Sequence, residues 1–406
     1  MVANAHHSGA FPVWTSHFNR WIGSCTFHLY DFLISRQVSV TKVILNIFLV
    51  GFSSLVGLVG VEITLRHFHP QILVRSDGLF VPDDSRSFKL KPKFSGNEIS
   101  HEFAVPVNIN SKGLRDDEIE FEKPENTYRV LVLGDSFTFG SGVSSEHTYS
   151  NQLEELLIRR QTGQTWQVIN SGISGYGTFQ EYAFLEEEGW LYEPDVVILQ
   201  FLANNDLTET LYPFRRVVRN GQIHFKGDDY TSSLVQEAQE FLRSHSHAYR
   251  LFGDRYHLIR IQLGLDSFFR GWSNIYDIAP SQDILKAWEI TRDYLDKLST
   301  SALTRKVDFF VITVPPRFVL NDDQWQDYLD TYGKKSDTVD RDLTSKKLQA
   351  ICADLQIPLL DLTPYFRELE DPLTHYHQFN GHWNQKGHRR VAQWVYDFFS
   401  GFTDPQ

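Results

Sequence analysis

The sequence predicts a three-layer α/β/α sandwich built on a parallel sheet, preceded by one transmembrane helix. Three observations predict it. The apolar run 130–133 stops abruptly at Gly134, Asp135 and Ser136, as a buried strand does where it turns into a helix. From residue 128 onward, apolar runs alternate with segments of helical periodicity, an order typical of parallel sheets with helical crossovers. Upstream, residues 43–61 carry no charge.

The later elements follow the same alternation. A helix beginning near Tyr149 has Leu153, Leu156 and Leu157 on one face, and we expect it to stop at Gly163. The closing helix has Val391, Trp394, Val395 and Phe398 on its apolar face. Further strands are predicted at residues 166–170, 196–201, 309–314 and 358–362, and a further helix at about 178–188.

Composition excludes some partners. The chain has 406 residues and a formal net charge of -12, and it shows no Lys/Arg-rich stripe, so nucleic acid is not an expected partner. The 2 cysteines, Cys25 and Cys352, form neither a disulfide framework nor a metal-ligand pattern. The glycine-rich loop at 171–177 lacks the Lys-Ser/Thr ending of a phosphate cradle. We therefore expect no cofactor.

The uncharged stretch predicts an uncleaved membrane anchor at residues 43–62. It is long enough to cross a bilayer core, and it begins too far into the chain and lacks the cleavage pattern of a signal peptide. The alternative is a buried core helix, against which the absence of a polar stripe argues. Flanking charges such as Lys42 and Arg66 barely separate the two topologies. We expect the C-terminal part to lie outside the cytoplasm, so that Cys25 and Cys352 are on opposite sides of the membrane and cannot form a disulfide.

This divides the chain into a tail (1–42), the membrane helix (43–62), a linker with an edge strand (63–125) and a large domain (126–400). In the linker, residues 103–109 alternate as a strand does, and Pro106 restricts that strand to a sheet edge. Within the large domain, an insertion at about 207–298 is rich in aromatic residues and arginine. It follows a strand's carboxyl end, so it is either a cap that selects the substrate or a helical appendage.

Residues suited to nucleophilic acyl chemistry follow the predicted strands. Ser136 offers a hydroxyl and a backbone N–H, Gly175 an unobstructed N–H, and Asn205 a carboxamide. Three donors at neighbouring strand ends suit a tetrahedral oxyanion. His382 lies just ahead of the closing helix and supplies a candidate base for the serine. Taken alone, Ser136 could equally be a helix cap.

Ser136, Gly175, Asn205 and His382 occur in this order, and the first three each follow a predicted strand. In these motif blocks the chain resembles the SGNH, or GDSL, hydrolase family over roughly residues 126–400. The resemblance implies a flavodoxin-like sandwich in which Ser136 is the nucleophile and His382 the base. It also implies an oxyanion hole formed by Ser136, Gly175 and Asn205. Asp135 and Asp206 belong to the same motifs, and we expect them to hydrogen-bond their own loops.

The chain departs from the family pattern before the histidine. Many members have an aspartate two or three residues upstream, where this chain has Asn380 and Phe379. Three interpretations remain open: Asn380 orients His382 through its amide, a distant acid such as Asp371 or Glu370 replaces the aspartate, or activity is weak or lost.

Three other histidines lie near the C-terminal end of the predicted domain. His388 is expected on the surface of the closing helix. His375 and His377 form a His-x-His pair, a weak metal signal on its own, and we expect no metal site.

The resemblance implies a serine esterase that hydrolyses O-acyl esters, on carbohydrate or other envelope material, through a Ser136 acyl-enzyme. The uncharged stretch adds the expectation that this esterase is anchored in the membrane. One alternative is an O-acyltransferase, in which a sugar hydroxyl replaces water. Another is a glycan-binding or scaffold protein weakened by the loss of the acid. The expected partners are an ester-bearing small molecule or an O-acylated glycan, and the membrane.

Overall fold

A computed structural model describes residues 40–71, 78–100, 102–160, 163–219, 221–225, 233–262 and 274–403. The chain divides into two compact units, Met1–His67 and Phe68–Gln406. The predicted tail, including Cys25, lies outside the described residues.

The first unit contributes helix α1 (Val40–Phe68). By length and composition, α1 is apolar enough to cross a membrane. It begins three residues before the predicted anchor and continues six residues beyond it, since Glu62 and Arg66 pair one helical turn apart and extend the helix past the apolar stretch.

The second unit holds the remaining elements. Within the described residues its strands are β1 (Phe80–Asp83), β2 (Ser87–Leu90), β3 (Ser95–Ile99), β4 (Ala104–Asn108), β5 (Thr127–Leu133), β6 (Thr165–Asn170), β7 (Val196–Phe201), β8 (Arg216–Arg219), β9 (Gln222–Phe225), β10 (Asp308–Thr313) and β11 (Leu359–Leu360). Its helices are α2 (Ser136–Phe139), α3 (Tyr149–Ile158), α4 (Thr178–Glu187), α5 (Ala203–Leu211), α6 (Ser233–His245), α7 (His247–Gln262), α8 (Gln282–Arg305), α9 (Asp322–Tyr332), α10 (Leu343–Asp354), α11 (Leu362–Arg367) and α12 (Gln385–Thr403). Short 3₁₀ turns lie at Ser145–His147, Gly189–Tyr192, Arg317–Val319 and Pro372–His375.

The centre of this unit is a parallel five-stranded sheet in the order β11-β10-β7-β5-β6. In its register, Val130 of β5 lies opposite Val168 of β6 and Val196 of β7. Val130, Leu131 and Val132 point alternately to the two faces of the sheet, yet all are fully buried. Both faces are therefore covered, which is the predicted α/β/α sandwich.

The strand order explains the layers. The chain steps from β5 outward to β6 and then returns to β7 on the other side of β5. Because crossovers in parallel sheets are right-handed, this reversal sends α3 and α4 to opposite faces. α3 packs with α12 and β6, whereas α4, α5 and α8 pack with one another. The reversal also opens a crevice at the carboxyl end of β5, where Ser136 lies.

In the predicted linker region, β1 pairs with β2 and β3 pairs with β4, which gives two antiparallel hairpins. Pro106 lies in β4, whose strand partner is β3 alone among the described strands. Leu79, Phe80, Phe88, Leu90, Val107 and Ile109 share a small apolar core with Phe139, Ile173 and Tyr176. The last three flank Ser136 and Gly175 along the chain, so this segment packs against the loops that carry the candidate site.

Two boundaries differ from the sequence-based expectations. α3 ends at Ile158, five residues before Gly163. Arg159, the next residue, caps the helix through its backbone N–H. α8, at the end of the predicted insertion, belongs to the sandwich, because Leu295 and Leu298 are fully buried in the main core. Apolar faces decide both outcomes: the buried face of α3 ends at Leu157, and that of α8 continues past residue 298.

Candidate active site

Ser136 opens the short helix α2 directly after β5. Asp135 caps this helix by accepting a hydrogen bond from the Phe137 N–H, and Gly140 ends it at a φ of 84°. Gly134 permits the turn, since a Cβ there would lie 2.2 Å from Thr138 Oγ1. The strand-turn-helix arrangement thus leaves the Ser136 hydroxyl at the sheet's carboxyl edge.

His382 reaches this hydroxyl from the far end of the chain. Its Nε2 lies 2.7 Å from Ser136 Oγ. The loop before α12 is closed by an antiparallel bridge between Tyr376 and Trp383, and Gly381 turns it at a φ of 80°. The His382 ring lies 4.8 Å from the Phe137 ring, which fixes one side of the imidazole.

Asn380 contacts the other nitrogen of this ring, because its Oδ1 hydrogen-bonds His382 Nδ1. An amide oxygen only accepts, so Nδ1 carries the proton and Nε2 is free to accept from the serine. Burial, aided by the nearby His377, lowers the pKa of His382 to about 4. The imidazole is therefore neutral at physiological pH.

Neither Asp371 nor Glu370 hydrogen-bonds the His382 ring in the described part of the chain. Among the described residues, the His382 side chain hydrogen-bonds Asn380 and Ser136. Asp371 instead caps the turn Pro372–His375 through the Leu373 N–H, and Glu370 is exposed. The geometry therefore favours the first of the three interpretations, an amide beside the histidine.

Asn205 is joined to the Ser136 turn. Its Nδ2 donates to Asp135 Oδ2 at 2.7 Å. A carboxamide nitrogen carries two protons, so one remains for an oxyanion. Burial raises the pKa of Asp135 to about 6. Asp135 was expected to bond its own loop, which it does, and the structure adds that it also orients Asn205.

Gly175 lies in a loop held against the Ser136 turn. The Ile173 N–H donates to the Gly134 carbonyl at 3.0 Å, and Asn170 Nδ2 donates to the Thr138 carbonyl at 2.8 Å. Gly175 has a φ of 88°, and a Cβ there would lie 2.2 Å from Arg216 Nη1. The left-handed backbone favours glycine here, and any side chain would also require the Arg216 guanidinium to move.

Asp206, the second motif acid, accepts from the Leu202 N–H and from Thr178 Oγ1, both at 2.7 Å. It therefore holds its own loop and the start of α4, as expected. Burial raises its pKa well above the ordinary value.

Sequence reasoning missed Arg115, which is fully buried behind α2. Its guanidinium donates to the carbonyls of Phe139, Gly140 and Val143 at 2.7–2.9 Å. These are the carbonyls at and beyond the end of α2, where a cation is favourable. A single arginine in a turn has no periodic signature, so the sequence held no signal for it.

The prediction for His388 was wrong. This residue is 1% exposed, and its Nδ1 accepts from the Tyr149 N–H at 3.1 Å. Burial lowers its pKa to about 3. His388 lies one helical turn before Val391 and Ala392 on the buried face of α12, so this face begins one turn earlier than its apolar residues do. As for metals, the ranges described above contain no group of three or more His, Cys, Asp or Glu residues able to hold an ion.

The family model of the GDSL-like lipase/acylhydrolase family matches residues 132–390. The chain therefore belongs to this family, and the class that fold and family define is a hydrolase acting on esters. No curated protein matches the sequence.

Solved structures that match the chain include the lipase/acylhydrolase from Enterococcus faecalis. The match has 13% identity and a TM-score of 0.38, and it covers 69% of this chain and 98% of that one. The psychrotrophic esterase EstA from a Pseudoalteromonas species has 13% identity and a TM-score of 0.37, covering 69% of this chain and 100% of that one. A two-domain esterase active on acetylated mannans has 14% identity and a TM-score of 0.38, covering 69% of this chain and 50% of that one.

Proposed function

We propose that this protein is a membrane-anchored serine esterase that hydrolyses O-acyl esters through a Ser136 acyl-enzyme. The observation that carries the proposal is the continuous chain from Asn380 Oδ1 through the His382 ring to Ser136 Oγ. A nucleophile bonded to a base that is itself oriented by a third group is the arrangement nucleophilic catalysis requires.

In the first half-reaction, His382 Nε2 takes the hydroxyl proton as Ser136 Oγ bonds to the ester carbonyl carbon. The carbonyl oxygen becomes an oxyanion, held by the N–H groups of Ser136 and Gly175 and by Asn205 Nδ2. The tetrahedral intermediate then expels the alkoxide, which leaves as an alcohol with the proton from His382. An acyl-enzyme remains on Ser136.

In the second half-reaction, His382 takes a proton from water as the hydroxide bonds to the acyl carbon. The second tetrahedral intermediate expels Ser136 Oγ, which recovers its proton from His382, and the carboxylic acid departs. Asn380 holds the Nδ1–H tautomer throughout. Its neutral amide orients the imidazolium without neutralising it, so each half-reaction forms that cation at a higher cost than beside a carboxylate.

For the substrate, we propose O-acyl groups carried on carbohydrate. Tyr212 and Phe214, which follow α5, are exposed aromatic side chains, and Phe214 is braced by the Phe179 ring at 5.5 Å. Exposed, fixed aromatic faces suit the apolar faces of sugar rings. The apolar helix α1 supports anchoring, and an extracytoplasmic site would put the enzyme beside envelope polysaccharide.

The test is p-nitrophenyl acetate turnover by the full chain in detergent, comparing wild type with Ser136→Ala. Ser144→Ala is the matched control, since its exposed hydroxyl bonds only Glu146 in the described structure. We expect Ser136→Ala to lose about 10³-fold or more in kcat with an unchanged Tm, and the control to match wild type. A fluorophosphonate should add one phosphonyl group to Ser136.

The competing functions give different outcomes. An O-acyltransferase would transfer acyl groups faster to added sugar than to water after the same labelling. A glycan-binding protein, favoured by Asn380 in the acid's position, would be folded yet unlabelled.

A further inference from the structure

The β3–β4 hairpin precedes the residues matched by the family model, and it carries two acids, Glu98 and Glu102. Each acid reaches a different half of the candidate site. The hairpin therefore lies where the segment after Ser136 meets the loop that carries His382.

Glu102 binds the histidine loop. Its Oε2 accepts from the Asn380 N–H at 2.7 Å and from the Phe379 N–H at 3.0 Å. Its own N–H donates to Ser100 Oγ at 3.1 Å, which steadies the hairpin turn. The next residue, Phe103, packs its ring 4.9 Å from the ring of His377.

Glu98 binds the nucleophile segment. Its buried Oε2 accepts from the Gly142 N–H at 3.0 Å, three residues beyond Phe139, the last residue of α2. A Cβ at Gly142 would lie 2.6 Å from His377 Nε2 and 2.9 Å from the Phe103 ring. The nucleophile segment, the histidine loop and the hairpin therefore touch at this point.

We propose that Glu102 is a positioning residue for His382, acting through Asn380. Two contacts separate the Glu102 carboxylate from the imidazole: the bond to the Asn380 N–H, and the bond from Asn380 Oδ1 to His382 Nδ1. Hydrogen bonds to a charged acceptor are about twice as strong as neutral ones, so this carboxylate is a firm anchor for the loop. The proposal rests on the proposed function of Ser136 and His382.

The need for such an anchor follows from the loop itself. Asn380 is followed by Gly381 at a φ of 80°, a residue with no side chain to pack. The amide of Asn380 has no net charge with which to attract an imidazolium, so its orienting effect depends on its position alone. In the described part of the chain Glu102 makes no ion pair, and the loop N–H groups are its partners.

The test compares Glu102→Ala and Glu102→Gln in the full chain in detergent. A displacement of about 1 Å in a catalytic group costs up to about 10²-fold, so we expect Glu102→Ala to lower kcat by about 10- to 100-fold. KM for p-nitrophenyl acetate should stay within about twofold, because the backbone N–H groups that Glu102 binds are not among the proposed contacts to the ester. Glu102→Gln keeps an acceptor oxygen and should recover most of kcat.

Two further variants separate positioning from general destabilisation. Ser95→Ala removes the hydrogen bond to Asn108 Oδ1 at the other end of the same hairpin, and it should leave kcat unchanged. In an Asn380→Ala background, Glu102→Ala should have no further effect on kcat. The reason is that this background lacks the contact from Asn380 Oδ1 to His382 Nδ1, through which Glu102 acts.

The inference is overturned if Glu102→Ala has the kcat of wild type. It is also overturned if Glu102→Ala lowers kcat as much in the Asn380→Ala background as it does in wild type. If wild type shows no Ser136-dependent turnover, the proposed function fails and this inference falls with it. Ser136-dependent turnover that is insensitive to Glu102 overturns only the inference.

Discussion

His382 Nε2 lies 2.7 Å from Ser136 Oγ, although 246 positions separate the two residues in the chain. The contact forms because β5 delivers the serine to the carboxyl edge of the sheet, while α12 packs on α3 beside it. The histidine loop immediately precedes α12, so the packing of that helix brings the ring to the hydroxyl.

The pH dependence of turnover should report His382. A protonated ring cannot accept the serine proton, and burial lowers the pKa of His382 to about 4. We therefore expect kcat/KM to rise with pH through about 4 and to stay level above it. The measurement is p-nitrophenyl acetate turnover from acid to neutral pH, and a limb at the ordinary histidine value of 6.5 would contradict it.

Asn380→Asp should raise turnover by restoring a carboxylate beside the imidazolium. An opposite charge this close raises a histidine pKa by about one to three pH units, so the acid limb should move toward neutral by that amount. Asn380→Ala, with no acceptor, should lower kcat. If Asn380→Asp is slower than wild type, the site is built around the amide.

Asn205→Ala should lower kcat by about 10²- to 10³-fold with little change in KM, the cost of one oxyanion donor. Asn204→Ala is the control, since its Oδ1 accepts from the Tyr276 hydroxyl at 3.3 Å and it supplies no predicted donor. Equal losses in both variants would point to damage of α5 rather than to the oxyanion.

Gly175→Ala should destabilise the fold through two separable effects. A left-handed backbone costs a non-glycine residue about 1–2 kcal/mol, and the methyl group also meets Arg216 Nη1. Gly163→Ala isolates the first effect, because its φ is 79° and its Cβ would meet nothing within 4 Å. Urea unfolding should show a larger loss for Gly175→Ala, and Arg216→Ala should relieve the excess. Equal losses would exclude the steric contribution.

Glu181→Gln should raise the Tm at neutral pH. Both carboxylate oxygens of Glu181 are buried and have no hydrogen-bond partner among the described residues. Burial, together with the nearby Asp206, raises the pKa of Glu181 well above 4.5. A raised acid pKa means that folding is favoured while the group is protonated, so stability falls as the pH rises above 4.5 toward the folded-state pKa. Each unit of that interval is worth about 1.4 kcal/mol.

The gain in Tm for Glu181→Gln should therefore be small near pH 4.5 and should grow toward neutral pH. Glu125→Gln, the same substitution at an exposed position, is the control for the amide replacement itself. A constant gain across this range would indicate that the carboxyl does not titrate there.

Much of this architecture is local in origin and was predictable. The apolar run 130–133 and the Gly134-Asp135-Ser136 turn identify a buried strand before a helix, and the alternation after residue 128 gives the parallel sheet. The uncharged stretch 43–61 gives an apolar helix, because length and composition suffice for that. The motif blocks at Ser136, Gly175, Asn205 and His382 follow from resemblance in sequence.

The tertiary structure alone decided how these blocks are supported. The burial of His388, the carbonyl contacts of Arg115 and the reach of Glu102 to Asn380 depend on segments far apart in the chain. The sequence determined the strands, helices and motif residues, because periodicity and turn chemistry are properties of neighbouring residues. Packing decided which polar side chains were enclosed and paired, because a contact between distant segments leaves no periodic trace in either one.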